Sequence, residues 1–124
     1  VEYKRQDVIR TDFFETIQGV LGEYDLIVSP TLAVPPVENV EEGSTLGPSE
    51  INGEAVDPHV GWCLTYPFNM TGHPVASIPA GLADGLPIGL QLVGRRWADE
   101  KVLAASAAFE RVRPWADSYP RTPT

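Results

Sequence analysis

The sequence predicts an α/β fold in which helices flank a small mixed β-sheet, and three observations carry that expectation. Apolar residues at helical spacing between Val8 and Tyr24 run straight into the apolar triplet Leu26-Ile-Val28. Two further apolar runs, Val75 to Gly81 and Leu86 to Gly94, flank the turn-forming Ala83-Asp-Gly85. A second helical pattern, Glu100 to Val112, follows them. Helix-period and strand-period segments in one chain indicate a sheet covered by helices.

Taken in order, Val8, Ile9, Phe13, Ile17, Val20, Leu21 and Tyr24 form the apolar stripe of the first helix, and Gly22 is its expected stop. Leu26-Ile-Val28, bounded by Asp25 and Pro30, reads as a short strand buried on both faces, as in a parallel or mixed sheet. Residues 31–60 lose all periodicity: Pro35, Pro36, Pro48 and Pro58 mix with glycines and acids, which predicts a long functional or mobile loop. A helical start around Trp62 to Tyr66 is limited by Pro67. The runs at 75–81 and 86–94 make a hairpin with a longer loop. Asp99 is the expected N-cap of the last helix, whose apolar face comprises Val102, Leu103, Ala105, Ala108, Phe109 and Val112. Pro114 ends that helix, and residues 114–124 form a loosely ordered tail.

Composition narrows the function classes. With 124 residues, 43% of them apolar, the chain can build one core and no second domain. Net charge is -8, and no Lys or Arg occurs between Arg10 and Arg95. A centre that is purely acidic wherever it is charged repels phosphate backbones, which argues against nucleic-acid binding. The most apolar run, Leu26 to Val37, is cut by three prolines and is too short for a bilayer span. Cys63 is the single cysteine, so no intrachain disulfide forms, which suits a cytoplasmic location. The chain opens at Val1 already in helical pattern, suggesting a partial polypeptide.

Four pieces occur in a telling order. They are the first helix with Tyr24-Asp-Leu-Ile-Val-Ser-Pro-Thr31, then Tyr66-Pro-Phe-Asn-Met-Thr-Gly72, then Val75 to Gly81 with Gly85-Leu-Pro-Ile-Gly-Leu-Gln-Leu-Val-Gly94, and finally Asp99-Glu100 opening a helix. The ordered set resembles the C-terminal portion of the amidase signature family, serine hydrolases that cleave carboxamides. The resemblance implies a mixed sheet covered by helices, a small-molecule amide substrate and no cofactor. It implies a Ser nucleophile, a bridging Ser and a Lys base carried on a Gly/Ser-rich signature, with backbone N–H groups stabilising the oxyanion. Nothing in these residues matches that signature; Gly43-Ser-Thr45 is too sparse, and the two lysines, Lys4 and Lys101, sit in helical patterns. No catalytic residue is therefore assigned.

What the resemblance assigns to this segment is the wall of the acyl pocket. It nominates Trp62, Thr65 and Phe68 as substrate-lining residues, with Asn69 holding the turn and Thr31 at the end of the first strand as a further candidate. Trp62 and Phe68 are equally explicable as core aromatics. Relatives that release ammonia for misacylated transfer RNA carry an acid where Trp62 aligns, so Trp62 favours an amidase for apolar or aryl acyl groups over the amidase-like component of a transfer-RNA amidotransferase. A non-catalytic module binding a partner through an open sheet edge is a third expectation, and such an edge also suggests self-association. Asp57, His59, Cys63 and His73 can be drawn as a metal site, but they lack the tight paired spacing of zinc ligands. No Gly-x-Ser-x-Gly elbow accompanies either histidine, and His73 reads as a loop residue open to variation.

Overall fold

The computed structural model describes residues 2–39, 43 and 45–118, with side chains from Arg5 onward. Helix α1 (Glu2–Glu23) leads into strand β1 (Ile27–Pro30). A small ribbon of β2 (Glu50–Ile51) and β3 (Glu54–Ala55) follows, then the short helix α2 (Tyr66–Thr71). Strands β4 (Val75–Ala83) and β5 (Leu86–Val93) and helix α3 (Asp99–Val112) come last. The expected tail is described only as far as Ser118, and residues 119–124 lie outside the described residues.

Strand β5 is the centre of a three-stranded sheet with the order β1-β5-β4. Both neighbours pair with it antiparallel, so the sheet is antiparallel where the sequence suggested a mixed one. Leu26 and Ile27 do pack into opposite layers. Val28, on an edge strand, is 56% exposed, so the apolar triplet overstated the burial of β1. The α/β class itself stands.

Alternation along β5 sends Val93 to one face and Leu92 to the other. Ile17 and Leu21 of α1 and Phe68 of α2 close over Val93, with Phe13 and Ile27 beside them. On the opposite face Val102 of α3 packs against Ile78 and Leu92, bordered by Leu26, Phe109 and Trp115. Each fully buried side chain of this size contributes about 1.5–3 kcal/mol. The apolar stripes of both long helices are only partly used. Val8 and Ile9 stay exposed on α1, as do Leu103 and Val112 on α3. Among the described residues, no helix is long and apolar enough to cross a membrane.

The element ends depart from expectation in instructive ways. Gly22 does not stop α1 but lies in its last turn; the guanidinium of Arg95 donates to the carbonyls of Leu21 and Gly22 and satisfies that end. Pro67 begins a helix instead of ending one. It occupies the first turn of α2, where a missing N–H costs nothing. Gly72 then terminates α2 in a left-handed conformation (φ 68°), its N–H bonding Phe68 O at 2.9 Å. Asp99 makes no side-chain cap; it sits in the first turn of α3, with Ala98 at the N-cap position. Its charge there complements the positive end of the helix dipole.

The β4–β5 connection is tighter than expected. Only Asp84 (φ 53°) and Gly85 (φ 80°) separate the strands, the double positive φ of a type I′ turn. Within residues 31–60, Asn52 (φ 52°) and Gly53 (φ 85°) close the β2–β3 ribbon in the same manner.

Candidate functional site

The register of the sheet assembles a polar row. Ser29 of β1 and Ser77 of β4 both stand opposite Gln91 of β5, on the face that also carries Val93. Gln91 is fully buried. Its Nε2 donates to Ser29 Oγ at 3.0 Å and to the Leu64 carbonyl at 3.2 Å. Gln91 Oε1 has no partner among the described residues. One step along the same face is Gly89, whose carbonyl accepts from the Thr31 N–H at 3.0 Å. Thr31 Oγ1 and Ser77 Oγ lie 2.6 Å apart above it. A Cβ on Gly89 would stand 2.6 Å from Thr31 Oγ1 and 2.7 Å from Ser77 Oγ, so the hydroxyl pair depends on a glycine beneath it.

Trp62 is brought beside this row by the chain that follows β1. Leu32 bridges Cys63, and the Ala33 N–H donates to Trp62 O at 2.9 Å. The half-buried indole donates from Nε1 to Pro58 O at 3.0 Å and lies across Gly47, where a Cβ would sit 2.2 Å from Nε1. The indole N–H is thus spent within the fold and leaves an apolar ring. Next to Thr31 an apolar groove of about 290 Å³ is lined by Pro30, Leu32, Val34, Pro36, Pro87 and Ile88.

The remaining nominated residues lie elsewhere. Thr65 is half-buried at the N-cap of α2, and its side chain makes no cap hydrogen bond. Phe68 belongs to the core, 6.3 Å from the Phe13 ring centroid. Asn69 is exposed and, with Phe68 and His73, borders a cleft of about 310 Å³ on the α1 side. The structure therefore gathers Thr31 and Trp62, keeps Thr65 nearby through Leu64, and separates Phe68 and Asn69 from them.

His73 corrects an expectation outright. It is 6% exposed, not an open loop position. Its Nδ1 meets Thr71 Oγ1 at 2.8 Å and its Nε2 meets Gln18 Oε1 at 3.1 Å, while Phe14 stacks at 5.6 Å. Burial first, then the nearby Arg96 charge, hold its pKa below the ordinary histidine value. Asp57 accepts from the His59 backbone N–H at 2.8 Å and contacts its ring at 3.1 Å, and these bonds lower the carboxyl's pKa. Among the described residues no three His, Cys, Asp or Glu side chains converge as metal ligands.

The polar row escaped sequence reasoning. Its one sequence signal was Gln91, the single polar side chain between Leu86 and Val93. The row can orient a polar ligand by hydrogen bonding. Neither the Thr31 nor the Ser77 hydroxyl has a base among its hydrogen-bond partners in the described residues, so neither is an activated nucleophile.

Comparison with known proteins places this geometry. The amidase family model matches residues 1–103. An acylamidase of Rhodococcus erythropolis is 39% identical over 122 residues, covering 97% of this chain and 25% of the relative. The GatA-type component of the glutamyl-tRNA(Gln) amidotransferase of Streptococcus pyogenes is 38% identical over 118 residues, covering 95% of this chain and 22% of the relative. The crystal structure of a bacterial aryl acylamidase of the amidase signature family superposes with a TM-score of 0.91 at 50% identity, over 98% of this chain and 25% of that one. The corresponding amidotransferase component from Thermotoga maritima superposes at 0.74 with 29% identity, over 91% and 23%. The chain thus spans about a quarter of the length of the relatives it matches.

Proposed function

Because this chain belongs to the amidase family, we propose that it is the C-terminal segment, residues 1–124, of an amidohydrolase that converts carboxamides to carboxylates and ammonia or amine. In this proposal the segment supplies sheet and acyl-pocket wall, and the Ser-Ser-Lys machinery lies outside these residues. Trp62, Thr65, Phe68, Asn69 and Thr31 are its substrate-side candidates. Thr31 and Trp62 are the two that the fold sets beside the apolar groove.

The observation that carries the acyl preference is the state of Trp62. Its N–H is bound to Pro58 O, so the ring offers a substrate only an apolar surface. That surface suits an aryl or alkyl acyl group and gives nothing to the polar end of glutamine. The aryl acylamidase likeness supports the same choice. The amidase-like component of a glutamyl-tRNA amidotransferase is the second proposal, supported by the 38% identity to such a component.

The test uses the complete reading frame that encodes the chain. Aryl and aliphatic amides are compared with glutamine as substrates for it and for its Trp62→Glu variant. An aryl preference that falls in the variant is the expected result. Glutamine as the best substrate of the unaltered protein overturns the acyl preference and favours the amidotransferase.

A further inference from the structure

We propose that a second cleft, between α1 and the segments flanking α2 and α3, binds a small oxyanion, a carboxylate or a phosphate, between the guanidinium groups of Arg10 and Arg96. The cleft has a volume of about 410 Å³, within the usual range for small-ligand sites, and both arginines line it together with Thr11, Phe14 and Asn69. No Asp or Glu is among its described lining residues. In a chain of net charge -8, a cleft edged only by cations is a local reversal of sign, and clefts concentrate such fields.

Arg96 is built into position. Its guanidinium carbon lies 5.9 Å from the Phe14 ring centroid and 5.2 Å from that of Trp97, so the plane is held between two aromatic rings. Trp97 provides its half at a cost. It is 87% exposed and its backbone is left-handed (φ 65°), a conformation that bulky side chains rarely adopt. Neither feature adds to the core. Both are accounted for if the ring's role is to hold Arg96.

The neighbouring Arg95 shows the contrast, since its donors are consumed by the carbonyls at the end of α1. Neither Arg10 nor Arg96 has a carboxylate partner among the ion pairs of the described residues. A guanidinium with free, fixed donors is the group that matches carboxylate and phosphate geometry. The exposed Asn69 can add a neutral donor from the facing wall, while Phe14 and Met70 can take an apolar substituent. The opposing influence is the carbonyl end of α2. There the Phe68 carbonyl is already taken by the Gly72 N–H and the Thr71 hydroxyl.

The site is independent of the hydrolase proposal and is tested on the chain itself. The ¹⁵N-labelled protein is titrated with inorganic phosphate and, separately, with benzoate, at an ionic strength held constant with sodium chloride. Saturable shifts of the Arg96 Nε–H and Trp97 indole resonances are expected for at least one anion, and the one that saturates identifies the ligand chemistry. Arg10→Gln and Arg96→Gln should each weaken binding by about tenfold or more, the loss of one charge-assisted hydrogen bond. Arg10 is exposed on α1, so its replacement keeps the test valid if the Arg96 variant folds poorly. Shifts that never saturate with either anion overturn the site, as do saturable shifts that neither substitution alters.

Discussion

The side-chain amide of Gln91 donates to the Leu64 carbonyl across 3.2 Å, and through that bond one fully buried side chain sets where the segment from Trp62 to Thr65 lands on the sheet. Backbone pairing fixes β5 between its neighbours, but it reaches nothing outside the sheet. Gln91 carries the strand's position outward to the candidate acyl wall.

Gln91→Leu keeps the volume and removes both donors, leaving Leu64 O without that bond. An unpaired buried acceptor costs about 1–3 kcal/mol. Urea denaturation should show a lower midpoint with an unchanged slope. Ser29→Ala should cost less, because Gln91 keeps its bond to Leu64.

Gly89→Ala places a methyl group where the Thr31 and Ser77 hydroxyls now meet. Overpacking of this kind costs about 1–3 kcal/mol. Combining it with Ser77→Ala removes one of the colliding oxygens and should recover part of the loss. A double-mutant cycle in thermal unfolding measures that coupling, and strictly additive losses would place the strain elsewhere.

Gly47→Ala should lift the indole of Trp62, since the added carbon falls 2.2 Å from its Nε1. The bond to Pro58 O breaks with it. Near-ultraviolet circular dichroism should lose tryptophan signal, while the far-ultraviolet spectrum stays that of the parent. In the complete enzyme the same substitution should alter aryl amide KM more than it alters overall stability.

His73 makes stability depend on pH. Its folded-state pKa lies below its unfolded value of about 6.5, chiefly because it is buried and secondarily because Arg96 is close. Between the two values the unfolded chain binds more protons, so stability rises with pH across that window and is lost on acidification. Above the unfolded value the effect vanishes. Thr71 and Gln18 fix the ring through its two nitrogens, so His73→Gln should lower stability at neutral pH and flatten the acid-side slope. Melting temperatures of both proteins from pH 7 down to about pH 5 check the sign. A parent whose stability increases on acidification in that range contradicts it.

Periodicity was enough to find both long helices and the strands around Ile27, Ile78 and Leu90, because each buries an apolar face at a fixed spacing. Ends were harder, since they are decided by contacts distant in sequence. Arg95 holds the end of α1, which no local glycine rule anticipates. Pro67 has the same chemistry at either end of a helix, and only its place in the first turn shows that it starts one. The Asn52-Gly53 turn was written in the sequence and was obscured by the prolines around it. The site was the least legible part. Ser29, Ser77 and Gln91 become a row only once strand register is known, and Arg10 meets Arg96 only when α1 folds back on the sheet.

The most direct test of the central claim is turnover of an aryl amide by the purified 124-residue chain, with the product of the complete reading frame as reference. The complete protein is expected to release the arylamine, and the chain alone is expected to give no release above the buffer rate. Release by the chain alone that disappears when Thr31 and Ser77 are replaced by alanine would contradict the claim, because it would put the reacting hydroxyl within these residues.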